Sequence, residues 1–84
     1  MNITEVSFLA RLSACNRLTV PVEIRWQFRL EPGAPYAVRI RSGFGSRFYV
    51  RLQKGGRLTV PPEVVADHRL GVGDVVEVAI EAEE

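Results

Sequence analysis

The chain has 84 residues, enough for one small domain whose core is marginal unless it is well enclosed. Its 46% hydrophobic and 25% charged residues are ordinary for a soluble globular domain, and no apolar run approaches the roughly 18 residues of a membrane span. The net charge of +1 hides a division: residues 1–60 hold ten cations against three carboxylates, +7, while residues 61–84 hold Arg69 against seven carboxylates, −6. That asymmetry points to a basic surface for a polyanion and an acidic end facing elsewhere. The N-terminus carries no basic segment followed by a long apolar stretch, so no signal peptide is expected. The lone Cys15 cannot form an internal disulfide, which makes a reducing cytoplasm the expected compartment.

In chain order the elements repeat. Arg17-Leu18-Thr19-Val20-Pro21-Val22-Glu23 recurs as Arg57-Leu58-Thr59-Val60-Pro61-Pro62-Glu63, an offset of 40 residues. The register holds without a gap from Phe8 over Phe48 to Ile40 over Ile80. Residues 8–40 and 48–80 are therefore two copies of one ββαβ unit within a single domain spanning 1–84. With flanks, repeat one covers 6–41, a linker covers 42–46 and repeat two covers 47–82.

The first strand of each copy alternates, with Phe8, Ala10 and Leu12, or Phe48, Val50 and Leu52, facing inward. Leu9 and Arg11, or Arg47, Tyr49, Arg51 and Gln53, face outward. A tight turn follows at Ala14-Cys15-Asn16 and at Lys54-Gly55-Gly56, where Asn and Gly supply positive φ. The second strand sends Leu18 and Val20, or Leu58 and Val60, inward, with Arg17, Thr19, Arg57 and Thr59 outward. Pro21 and Pro61 end that strand and sit in the first turn of a short helix. Glu23 and Glu63 there complement the helix dipole. Ile24 and Phe28, or Val64 and His68, share its buried face. The helix ends near Arg29 or Arg69, and Gly33 or Gly71/Gly73 turns the chain. In the last strand Tyr36, Val38 and Ile40, or Val76, Val78 and Ile80, face inward. Its outward Arg39 and Arg41 become Ala79 and Glu81 in copy two. Six strands with one apolar face each bury those faces by closing on themselves.

Arg57-Leu58-Thr59-Val60-Pro61-Pro62-Glu63, then a short helix, Leu70 and Gly71-Val72-Gly73-Asp74-Val75-Val76, resembles the AbrB/MazE/SpoVT superfamily of cradle-loop barrels. Gly73-Asp74 is similar to the GD box of these barrels. Copy one departs there with Gly33-Ala34, and carries Cys15-Asn16 where copy two has turn glycines. The resemblance implies a mainly β fold with short helices: a six-stranded closed cradle-loop barrel, pseudo-twofold, of RIFT or swapped-hairpin type. Because both units lie in one chain, it implies a monomer or weak homodimer.

The resemblance also implies a transcription or chromatin-associated regulator that binds double-stranded DNA through arginines on the hairpin and helix. By position these are Arg17 and Arg57 before the second strand, Arg11 and Arg51 in the first strand, and Arg25 four places after the proline. The counterpart of Arg25 is Val65, and the next position is Trp26 in one copy and Ala66 in the other. Arg47 and Lys54, outward or at a hairpin tip, complete the candidate set of Arg11, Arg17, Arg25, Arg47, Arg51, Lys54 and Arg57. Phosphate contact by such residues gives salt-dependent affinity.

Other readings stand beside this one. Arg17 and Arg57 also suit pairing with Glu23 and Glu63. Tyr49 reads as cross-strand packing or as a base stacker, Trp26 as core or a protein contact, and His68 as half-buried. A protein-interaction barrel, antitoxin-like or adaptor-like, is the alternative function. No acid–base pair, metal cluster or activated nucleophile is evident, so neither an enzyme, a cofactor nor a metal is expected. Inward positions match between copies and outward ones do not. A DNA footprint is therefore expected to be asymmetric, weighted toward copy one and the hairpin of copy two.

Overall fold

The two copies fold by pairing with each other rather than with themselves. The computed structural model describes residues 3–41 and 47–83, so the expected linker at 42–46 lies outside the described residues. Copy one supplies β1 (Ile3–Arg11), β2 (Arg17–Thr19), α1 (Val22–Gln27) and β3 (Pro35–Ile40). Copy two supplies β4 (Arg47–Arg51), β5 (Arg57–Thr59), α2 (Pro62–Asp67) and β6 (Val75–Glu83). The result is a mainly β domain with two short helices. Its four-stranded antiparallel sheet has the order β1-β6-β3-β4, and its two-stranded ribbon is β2-β5.

Every regular ladder in that arrangement joins one copy to the other. Within a copy, strand pairing reduces to single bridges, Ser13–Arg17 and Gln53–Arg57. These bridges link ribbon to sheet, but the ladder hydrogen bonds do not run continuously around all six strands. The turn before the last strand of each copy grips the end of the other copy's first strand. Gly73 N–H donates to Leu12 O at 2.7 Å and Leu12 N–H to Asp74 O at 2.8 Å. The mirrored bonds are Gly33 N–H to Leu52 O at 2.6 Å and Leu52 N–H to Ala34 O at 3.0 Å.

The alternation expected from the sequence sets the core. Phe8, Ala10, Leu12, Leu18, Val20, Val38, Ile40 and their copy-two partners Phe48, Leu52, Leu58, Val60, Val78 and Ile80 are all buried in one cluster, with Tyr36 and Val50 packed half-buried against it. The faces expected to be outward are not uniformly wet. Ala79 is 1% exposed and Ala37 is also buried. Ala79 stands between Ser7 of β1 and Arg39 of β3 in the ladder, and the longer side chains around it, Arg41 bonded to Ser7 among them, close over so small a residue.

Local chemistry departs from expectation at three places. In the first hairpin Cys15 shares the left-handed region with Asn16, at φ 63° and 58°. Pro21 and Pro61 occupy the position before each helix rather than its first turn, with ψ near 142°, and Pro62 takes the first helical position. This follows from their role in ending the strand: the backbone is still extended there. Each helix ends at Gln27 or Asp67 and closes with a Schellman motif. Leu30 N–H bonds Arg25 O and Arg29 N–H bonds Trp26 O; Leu70 to Val65 and Arg69 to Ala66 repeat the pattern. The residue in the left-handed region, most often glycine, is here Arg29 or Arg69, whose cation complements the negative helix end.

The two turns before the last strands solve one problem in two ways. In copy two the Asp74 carboxylate accepts the Gly71 N–H at 2.7 Å. Copy one has Ala34 at that position, and the Tyr36 hydroxyl accepts the corresponding Glu31 N–H at 2.8 Å instead. Asp74→Ala and Tyr36→Phe are each expected to cost about 0.5–1.5 kcal/mol in urea unfolding, because each leaves one turn N–H without its protein acceptor.

Candidate nucleic-acid interface

The ribbon places its outer residues in two short rows. In β2-β5, Arg17 stands opposite Thr59 and Thr19 opposite Arg57, with Leu18 opposite Leu58 on the inner side. The bridges add Ser13 beside Arg17 and Gln53 beside Arg57. Two residues further back on the same faces, β1 and β4 bring Arg11 and Arg51. One row therefore reads Arg11, Thr19, Arg57, Gln53, and the other Ser13, Arg17, Thr59, Arg51. They are related by the pseudo-twofold of the repeat. Between them, on the inner side, lies a row of leucines: Leu12, Leu18, Leu58 and Leu52, each at most 1% exposed. Four arginines share this face with hydroxyl and amide side chains; exposed Glu77 stands on the same side of β6, two residues from the Val75 that faces Arg11.

Hydrogen bonds stiffen the face without neutralising it. Ser13 Oγ donates to Arg17 O at 3.0 Å, and Arg51 donates to Gly33 O at 2.7 Å across the copies. Neither Arg17 nor Arg57 forms an ion pair with Glu23 or Glu63, so the strand-to-helix pairing considered from the sequence is not made. The ion pairs among the described residues lie on the outer face of the four-stranded sheet instead. Glu5 meets Arg39 at 3.6 Å and Arg41 at 3.3 Å, and Arg47 meets Glu81 at 2.7 Å.

The seven candidate residues thus divide. Arg11, Arg17, Arg51 and Arg57 gather on the ribbon face, and Lys54 is exposed at the tip of the second hairpin. Arg47 shares the outward side of β4 with Arg51 but stands at the far end of the strand, where it is held by Glu81 and lies 5.4 Å from the Tyr49 ring centroid. Tyr49 is 70% exposed, so cross-strand packing does not bury it. Arg25 is half-buried: its Nε donates to Val20 O at 3.2 Å, and its side chain lies directly over Gly56. Arg57 runs alongside the neighbouring Gly55, its Nε 3.5 Å from where a Cβ would stand. Trp26 is 78% exposed, which overturns the expectation of a core residue.

The packing of Arg25 on Gly56 sets copy one's helix against copy two's hairpin. By the 40-residue offset the mirrored positions are Val65 on the other helix and Asn16 on the first hairpin. One end of the ribbon therefore collects Arg25, Trp26, Lys54 and Arg57, and the other Cys15, Arg17, Val65 and Ala66. Residue-by-residue reading of the sequence did not find this crossing. The signal for it was the complementary size change, Arg25 with Gly56 against Val65 with Asn16. The reading also passed over Arg29 and Arg69, exposed cations at matched helix ends.

Among the described residues no helix is long and apolar enough to cross a membrane. No protein-family model and no curated protein matches the chain. A solved structure does: "The solution structure of PHS018 from pyrococcus horikoshii" superposes with a TM-score of 0.83 at 19% identity, covering 100% of this chain and 98% of that one. At that identity the likeness concerns the fold alone, and it extends end to end.

Proposed function

We propose that the chain is a double-stranded DNA-binding protein of the AbrB-like type, a transcription or chromatin-associated regulator acting in the cytoplasm. In this reading its six strands close into a cradle-loop barrel, with the Ser13–Arg17 and Gln53–Arg57 bridges as the seams between sheet and ribbon. The observation that carries the function is the ribbon face itself. A two-stranded antiparallel ribbon fits the major groove of B-form DNA. Here the ribbon bears Arg17, Thr19, Arg57 and Thr59, and Ser13, Gln53, Arg11 and Arg51 continue the face from the bridges and the ends of β1 and β4. Arginine suits both bidentate base edges and phosphates. Arg47 plays a lesser part, since Glu81 already holds it.

The test is fluorescence anisotropy of a labelled duplex across a salt series. Wild-type affinity is expected to fall steeply with salt. Arg17→Ala with Arg57→Ala is expected to weaken binding by about 1–3 kcal/mol per base-reading arginine, or to flatten the log–log salt slope by about 2 if both hold phosphates. No binding at low salt, or a double variant that binds like wild type, would sink the proposal.

A further inference from the structure

The repeat supplies an internal control for Trp26. Its counterpart is Ala66, at the same place in a helix of the same length, with the same Schellman closure. The fold thus builds this helix without a large aromatic, yet copy one carries a tryptophan there and leaves it 78% exposed. Nor is its ring engaged within the protein. Among the described residues the cation–π contact belongs to Tyr49, one face of which Arg47 already covers. Along its own helix Trp26 is flanked by Arg25 and Arg29, with Glu23 one turn before it. The preceding residue, Arg25, lies on Gly56 of the second hairpin; Arg57 lies along Gly55; Lys54 is the exposed tip between them and solvent. Arg29 follows at the helix end, and its N–H bonds the carbonyl of Trp26. The equivalent end of the ribbon has Ala66 followed by Asp67, and Cys15 at the hairpin tip.

We infer that Trp26 is a stacking platform for an unpaired base, and that the preferred ligand is a duplex with a short single-stranded extension leaving the ribbon at the second hairpin. This rests on the ribbon face binding nucleic acid and specifies which form of it. An exposed indole flanked by Arg25 and Arg29 matches a strand whose every unit offers a flat π face and a phosphate. Base pairs inside an intact duplex are stacked on each other and offer no such face. Arg25 is the positioning residue: its bond to Val20 O and its packing on Gly56 set the helix turn that carries Trp26 against the second hairpin.

Trp26 is the sole tryptophan, so intrinsic fluorescence reports this position alone. The ligands are a blunt duplex, the same duplex with a three-thymidine overhang, and a thymidine oligomer of equal length. The overhang is expected to quench Trp26 and to raise affinity over the blunt duplex by about 5- to 150-fold, the span of one stacked base. Trp26→Ala is expected to bring overhang and blunt duplex to the same affinity, while Trp26→Phe keeps part of the difference. Blunt and overhang duplexes that bind equally, without quenching, would overturn the inference and leave the ribbon reading intact. Failure of all three ligands to bind would overturn both. A fluorescence change that follows protein concentration without DNA, with a dimer in sedimentation, would show that a second copy covers Trp26 and would also overturn it.

Discussion

Leu58→Ala is expected to lower the free energy of unfolding by about 2–5 kcal/mol, a large part of the roughly 5–15 kcal/mol that holds a domain folded. Leu58 is fully buried in the row with Leu12, Leu18 and Leu52. That row is the inner side of a ribbon with only three paired residues per strand, Arg17–Thr19 and Arg57–Thr59. So short a ladder has little stability of its own, and the leucines attach it to the rest of the core. The neighbours of Leu58 belong to ladders that all cross between copies, so collapse around the cavity would shift both copies at once. That places the cost toward the upper part of the range. Leu18→Ala, its mirror, is expected to cost the same within about 1 kcal/mol. Urea unfolding followed by circular dichroism measures both. A loss below about 1 kcal/mol for either would show that the ribbon is not anchored through this row.

Much of the fold was legible because alternation along a strand fixes which residues face inward, and the 40-residue offset gave each position a second witness. Phe8, Leu12, Val20, Ile40 and their partners fell where that pattern put them. Pairing was not legible. A strand's pattern states its face and is silent on its neighbour, so nothing in either copy revealed that β1 lies beside β6 or β2 beside β5. Ala79 was misplaced for a related reason: its burial comes from longer side chains on adjacent strands, not from its own segment.

The site divides along the same line. The hairpin of each copy, legible in the sequence, brings Arg11 near Arg17 and Arg51 near Arg57, while the β2-β5 ladder that joins the two pairs was not legible. Arg25 and Arg47 are held by other partners: Arg25 by the Val20 carbonyl of its own copy and by Gly56 of the other, and Arg47 by Glu81. Trp26 sat in a helix of six residues, too short for periodicity to separate a buried face from an exposed one. Only Ala66, its counterpart, hinted that the fold could do without it.

Gly56→Asn isolates the joint between that helix and the ribbon. Gly56 has φ 77°, and a Cβ there would stand 2.5 Å from Arg25 Nε, far inside contact distance. Asparagine tolerates the left-handed region, as Asn16 does at φ 58° in the mirrored hairpin, so the backbone is not the main obstacle. The obstacle is Arg25. To make room it must abandon Val20 O, and the single variant is expected to lose about 1–3 kcal/mol in urea unfolding. Arg25→Val with Gly56→Asn places at this joint the residues that stand at the mirrored positions, Val65 and Asn16. Each hairpin carbonyl at these places accepts the same bond, Val20 N–H to Gly56 O and Val60 N–H to Asn16 O, both at 2.8 Å, so the backbone frame for the exchange is present. The double variant is expected to be more stable than Gly56→Asn alone, with a coupling of at least about 1 kcal/mol in a double-mutant cycle. Additive losses would mean that the asparagine is rejected by something other than Arg25. Positive coupling would mean that Arg25 is what excludes a side chain at position 56, and that this one arginine–glycine contact sets the two ends of the ribbon apart.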